Sequence, residues 1–216
     1  MPPGFPPGFF ARLDEAPDAA FYAEPRFVVH IDEATIAALT AWYAEVLAPG
    51  ADVLDLMSSW VSHLPEPDRL PLGRVVGLGM NAKELAANPR LASFDVHDLN
   101  REPRLPYADA SFDAALCAVS IQYLVRPLEV FAEVARVLRP GGRVAIATSH
   151  RCFPTKAIRA FHLLAPPERL AAIARYLELA GGFEAAALVD RSPPGADPLW
   201  IVTALRTTAT RGASAG

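Results

Sequence analysis

Asp55 closes the apolar run ADVLDLM, and Ser58, Ser59, Trp60, Ser62 and His63 follow it closely. A carboxylate at the end of a buried strand costs free energy unless it is paired or solvated. Asp55 therefore either meets a ligand or caps the next turn. The serines with His63 and an aspartate hold the ingredients of a hydrolase, but the G-x-S-x-G elbow is absent. Trp60 either stacks on a ligand or plugs a gap beside the turn. In DVHDLN, His97 alternates with Asp95 and Asp98, which invites a metal. Histidines near loops are more often hydrogen-bonded surface residues, and the reading adopted is no metal. Asp98 accepts from a ligand amine or closes an Asx turn. In SHRCFPTK, His150 is a candidate base. There Arg151 offers a bidentate clamp for an acidic substrate, and Cys152 a thiol. The plainer reading of Arg151, Cys152 and Lys156 is solvated cations and a half-buried cysteine. Tyr123 either lines an acceptor pocket or packs in the core. Tyr22, Arg26 and His30 either close over a ligand or simply pack as an arm.

The elements that must position these residues alternate. Residues 1–20 are rich in Pro, Gly and Ala and are expected to form a flexible arm. Asp32 caps a helix with Ile36, Leu39 and Tyr43 at helical spacing, which Pro49-Gly50 ends. Strands are expected at 51–57, 74–80, 91–98, 112–120 and 143–149, each a short apolar run suited to a parallel sheet. Three prolines between the first two strands permit at most a very short helix. Asn81 and Glu84 have capping-box spacing for the helix that stops before Pro89. Pro127 opens an amphipathic helix that Pro140-Gly141-Gly142 terminates. Helices at 155–164 and 167–180 precede strands at 183–190 and 199–206. The short SPPGADP loop requires those last two to be antiparallel. One domain is expected over 21–206, with a frayed tail at 207–216. In such sheets ligands sit beyond the carboxyl ends of the strands, so Asp55–Trp60 is the first place to look.

Bulk properties narrow the classes. The chain has 216 residues, just over half of them apolar, and a formal net charge of -4. No basic stripe suggests a nucleic-acid partner, and no apolar run is long enough to span a bilayer. Two cysteines without a CxxC pair argue against a disulfide scaffold. The proline-broken N-terminus is unlike a signal peptide, so a cytoplasmic location is expected.

VLDLMSSWVSHLP resembles the first motif of class I S-adenosylmethionine-dependent methyltransferases of the type 11-like group. LPYADASFDAALCAVSIQYL and PLEVFAEVARVLRPGGRVAIAT resemble that family's region from the third loop to the fifth strand. DLMSSWVSHLP and GLGMN match a subgroup of small methyltransferase-like proteins. The resemblance covers about residues 50–205. It implies a Rossmann-like α/β fold, with a seven-stranded mostly parallel sheet, an antiparallel last strand and helices on both faces. It also implies S-adenosylmethionine as cofactor. Asp55, Met57, Ser58, Ser59 and Trp60 would surround its amino-acid end, and Gly79, Met80 and Asn81 its ribose and adenine. Asp98 and Leu99 would lie by the adenine, and Ala118 and Val119 beside the methionine part.

Two departures stand out. Met57, Ser59 and Val61 occupy the usual glycine positions, and Gly79 stands where a ribose-binding acid is usual, with Asn81 as a neutral substitute. The resemblance implies methyl transfer to a small-molecule acceptor, with His150 or Tyr123 as base and Tyr22, Arg151 and Cys152 at the acceptor. The expected partners include neither nucleic acid nor membrane, and a homodimer is admitted. The departures also fit a domain that no longer transfers methyl groups and binds another nucleotide-like ligand or serves as a partner subunit. An NAD-dependent oxidoreductase lacks its G-x-G-x-x-G after the first strand.

Overall fold

The computed structural model describes residues 4–208. Seven strands form one sheet: β1 (Val53–Leu56), β2 (Val75–Gly79), β3 (Ser93–Val96), β4 (Phe112–Ala118), β5 (Leu138–Thr148), β6 (Ala187–Asp190) and β7 (Trp200–Leu205). Their order is β3-β2-β1-β4-β5-β7-β6. The β1–β2, β1–β4, β2–β3 and β4–β5 pairs are parallel, whereas β7 runs antiparallel to both neighbours. Strand order reverses between β1 and β4, so their carboxyl ends diverge into the crevice where such sheets bind ligands.

Side-chain alternation along the strands feeds two cores. On one face Leu54, Leu56, Val76, Val144 and Val202 pack against α4 (Pro127–Val137) and α6 (Pro166–Ala180). On the other, Val53, Val75, Ala114, Leu116 and Ile201 pack against Leu39, Trp42 and Tyr43 of α2 (Glu33–Val46). As expected, Asp32 caps α2 by accepting from the Thr35 amide. The arrangement is the Rossmann-like sheet that the strand–helix alternation implies.

Local limits differ from expectation where prolines intervene. Residues 58–73 make no helix. Pro154 lies in the residues ahead of α5, which is confined to Arg159–Leu163. Strand β6 begins at Ala187 rather than 183. Helix α4 ends at Val137, ahead of the Pro140-Gly141-Gly142 segment, which lies within β5 where the register with β4 shifts.

The expected loose arm is packed instead. Prolines and glycines prevent regular structure there, but they do not prevent burial of aromatic rings. Phe5, Phe9 and Phe10 pack on the core, with Phe5 and Phe10 5.3 and 5.8 Å from Tyr176 of α6. The backbone of residues 9–14 bonds to residues 155–160. Of the tail expected to fray, Thr207 donates its amide to Gly182, and residues 209–216 lie outside the described part.

Lys156, expected to be solvated, is wholly buried. Its ammonium lies 3.2 Å from Asp14 and 3.1 Å from Asp18, and it donates to the Ala16 carbonyl at 2.6 Å. Arg12 joins Asp18 at 2.7 Å. This network fixes the arm and the short helix α1 (Asp18–Phe21) against the body. Lys156→Met is expected to lower stability by about 3 kcal/mol, because it leaves the buried Asp18 carboxylate short of a partner. A urea midpoint equal to that of the native chain would show these pairs to be incidental.

Candidate functional site

A cavity opens beyond the carboxyl ends of β1, β2 and β4. Its floor comes from Asp55, Met57–Ser59 and Val61 after β1, Gly79–Asn81 after β2, Asp98–Asn100 after β3, and Ala118–Ser120 with Tyr123 after β4. Its roof is the strap of residues 22–30, of which Tyr22, Arg26, Val28, Val29 and His30 face inward.

Three side chains of the rim hold that roof, each through the strap's backbone. Asn81 donates from its amide to the Tyr22 and Ala23 carbonyls at 2.9 and 3.0 Å. Glu84, in α3 (Ala82–Ala87), accepts the Arg26 amide at 2.6 Å. Trp60 donates to the Val28 carbonyl at 2.9 Å. Glu84 therefore does not close the expected capping box. Its second oxygen accepts the Ser59 hydroxyl at 2.6 Å, tying α3 to the turn after β1.

That turn keeps a glycine-like backbone without glycine. Met57 has φ 59°, and His63 and Val119 around the same cavity have φ 52° and 51°. Left-handed geometry is unusual for non-glycine residues and is an outlier for a β-branched one. Such strain persists only where surroundings enforce it, and it clusters at functional sites. The Ser58 amide donates to the Leu78 carbonyl at 2.8 Å, pressing the turn onto the end of β2. A Cβ at Gly79 would overlap the Ser58 carbonyl oxygen. The closeness of this turn thus explains the missing acid: no side chain fits there. Glu84 is the carboxylate that reaches the cavity from that side.

Asp55 is buried and accepts the hydroxyls of Ser58 and Ser62, both at 2.6 Å. Burial outweighs those bonds and pushes its carboxyl up to about 6. His63 lines the cavity with its Nδ1 buried and without a hydrogen-bond partner. Burial, with His30 nearby, lowers its pKa to about 4, so the ring is neutral near pH 7. Asp98 spends Oδ1 on the amides of Asn100 and Arg101, the expected Asx turn. Its Oδ2 accepts no bond among the described residues, so both roles weighed for it remain compatible.

Of the residues singled out from the sequence, Asp55, Met57, Ser58, Ser59, Gly79, Met80, Asn81, Asp98, Leu99, Ala118, Val119, Tyr22 and Tyr123 line the cavity. Trp60 does not: its indole is turned to the strap, with Phe27 edge-on at 6.2 Å. His150 and Arg151 lie off the cavity and both pair with Asp197, at 3.3 and 3.1 Å. Asp197 also bonds the amide of Asp32, so this cluster braces the start of α2. Cys152 packs beside Phe161, with burial raising its thiol pKa. Asn81 is spent on its cap and the strap, which leaves no free amide for a ribose. Glu84, His63, Asn100 and Phe153 line the site although none was placed there from the sequence. Glu84 had a signal, its capping-box position, that pointed elsewhere.

The residues fit a charged nucleoside. An apolar wall of Met80, Leu99 and Val119 sits beside an unspent Asp98 oxygen, Glu84 faces the same space, and the left-handed turn opens toward it. A family model described as "Methyltransferase domain" matches residues 58–146. A methyltransferase from Aquifex aeolicus has the same fold, with TM-score 0.59 and 18% identity over 88% of this chain and 97% of that one. The matched stretch runs from the turn after β1 to β5, and the sheet has the fold of solved methyltransferase structures. Another structure of this fold is described as the [4+2]-cyclase SpnF, with TM-score 0.57 and 20% identity, covering 79% of this chain and 81% of that one. The 27-O-demethylrifamycin SV methyltransferase of Amycolatopsis mediterranei is 37% identical over 78 residues, 33% of this chain and 29% of that protein. The arsenite methyltransferase of Halobacterium salinarum is 33% identical over 108 residues, 47% of this chain and 28% of that protein. Matches to both relatives thus span under a third of their length.

Asp55 and His63 should drive stability in opposite directions between pH 4 and 6.5. Asp55 has a raised folded pKa, so its contribution is full below pH 3.8 and is lost as pH rises through about 6. His63 has a depressed one, so its contribution is full above pH 6.5 and is lost as pH falls toward 4. Relative to the native chain, Asp55→Asn should gain stability as pH rises from 4 to 6. His63→Asn should gain as pH falls over that window. Each change is on the order of 3 kcal/mol. Urea unfolding at several pH values reads both; parallel profiles for the two variants would contradict these assignments.

Proposed function

We propose that this methyltransferase-fold protein transfers a methyl group from S-adenosylmethionine to a small-molecule acceptor held between the strap and the sheet rim. The observation that carries the reading is the roofed cavity at the β1–β4 switch point, floored by the family's cofactor positions. When bound, the cofactor supplies an activated methyl on a sulfonium. Asp98 accepts the adenine amine through its unspent oxygen, with Leu99 and Met80 as apolar walls. No acid stands at Gly79, and Glu84, the carboxylate on that side, is held by the Arg26 amide and Ser59. The turn at Met57–Ser59, with Ala118 and Val119, borders the methionine end. The strap keeps water out and orients the acceptor, and positioning of this kind supplies about 7–11 kcal/mol in favourable cases. Where the acceptor must lose a proton, His63 takes it on Nδ1, the role first expected of His150. Tyr123 shapes the wall, its hydroxyl accepting the Phe153 amide at 2.8 Å. The roofed space, without an inserted domain, suits a small acceptor rather than a macromolecule.

A second reading draws on Gly79. With no acid at the ribose position, the site suits a protein of this fold that binds another nucleotide-like ligand without methyl transfer. Calorimetric titration with S-adenosylmethionine and S-adenosylhomocysteine separates the two. One-to-one binding is expected, weakened by about tenfold or more in Asp98→Ala. No binding at millimolar ligand would overturn the methyltransferase reading. Once an acceptor is in hand, His63→Ala is expected to slow transfer by about 10²–10⁴-fold, with His150→Ala close to the native chain.

A further inference from the structure

Arg26 is the one arginine or lysine on the cavity wall among the described residues. Its Nη1 is buried without a hydrogen-bond partner, and its guanidinium makes no ion pair among the described residues. Its partners are ring faces only: the guanidinium carbon lies 4.4 Å from the Phe21 centroid and 5.5 Å from that of Phe153. Cation–π contact offsets part of the cost of shielding a charge from water, but a half-buried cation without an anion is still unsatisfied. Of the other charges of the cavity, Asp98 keeps one oxygen free at the β2–β3 side, and the remaining carboxylates are committed. Asp18 is held by Arg12 and Lys156, Asp55 by two serines, and Glu84 by Ser59 and the Arg26 amide.

The position of the guanidinium tells which half of the cavity it serves. The Arg26 backbone is pinned on α3, but its side chain reaches Phe153, which follows β5. Phe153 stacks on Tyr123 at 5.8 Å and meets His30 edge-on at 5.1 Å. This group sits at the β4–β5 side of the rim. The nucleoside-binding residues Gly79, Met80 and Asp98 sit at the β2–β3 side. The aromatic walls suit an apolar, planar body, and a guanidinium fork suits a carboxylate.

We propose that Arg26 anchors the acceptor by a carboxylate, so that the substrate class is an apolar or aromatic carboxylic acid. The inference rests on the methyltransferase reading for the word acceptor. The carboxylate chemistry is shared with the cofactor's own methionine end, and the test separates the two sources. Benzoate and its neutral isostere benzamide are titrated calorimetrically into the full chain, with and without saturating S-adenosylhomocysteine. The same titrations are run on Arg26→Met and Arg26→Lys. Benzoate is expected to bind the native chain at least about tenfold more tightly than benzamide. Arg26→Met should erase that preference, and Arg26→Lys should keep part of it, because an ammonium retains charge without the fork. S-adenosylhomocysteine affinity in Arg26→Met should stay within about threefold of native, as expected for separate sites. Equal binding of benzoate and benzamide, or no binding of benzoate, overturns the proposal. So does an Arg26→Met variant that loses S-adenosylhomocysteine while keeping its benzoate preference, since Arg26 would then serve the cofactor. Should the Met variant fail to fold, Arg26→Lys carries the comparison. Failure of the native chain to bind S-adenosylhomocysteine sinks the methyltransferase reading instead, and benzoate titrated alone still reports on Arg26.

Discussion

The site depends on a set of hydrogen bonds between rim side chains and the backbone of one extended strap. Asn81, Glu84 and Trp60 bond to the Tyr22, Ala23, Arg26 and Val28 backbone. An extended segment without a sheet partner has unpaired amides and carbonyls that cannot be buried at no cost. Satisfying them from the rim allows a loop to become a roof. In consequence Arg26 and His30 are directed inward, and the space beneath is shielded without any separate domain.

The same region resolves a conflict in the turn after β1. Side chains at the glycine positions would ordinarily keep a ligand away from the backbone. Here Met57 accepts the left-handed conformation and the turn folds down until the Ser58 carbonyl touches Gly79. The glycine requirement has moved from the turn to the strand beneath it. Glu84 in α3 lines the cavity from that side, with its two oxygens on the Arg26 amide and the Ser59 hydroxyl. A buried, serine-bound Asp55 then serves as a fixed post behind the turn rather than as an open carboxylate.

Much of the fold was legible because its signals are local or periodic. Short apolar runs, the Asp32 and Asn81 caps and the SPPGADP segment before β7 each report on their own neighbourhood. The rim was legible because residues at strand ends are placed by topology alone. What escaped depended on long-range pairing. The Phe5, Phe9 and Phe10 rings bind an arm whose prolines suggested looseness. Lys156 is buried because Asp14 and Asp18 come back to it from the far end of the chain. His150 sits at the end of β5 as expected, but Asp197 draws it and Arg151 away from the cavity. His63, in the irregular chain after β1, lines the cavity with a left-handed backbone that no periodicity announces.

The central claim, that rim side chains hold the strap as a roof, is tested most directly by amide hydrogen exchange in the native chain and in Asn81→Ala. The expected result is slow exchange at Arg26 in the native chain and markedly faster exchange across residues 22–30 in the variant, with β1, β4 and β5 still protected. Equal exchange of the strap in both proteins would contradict it.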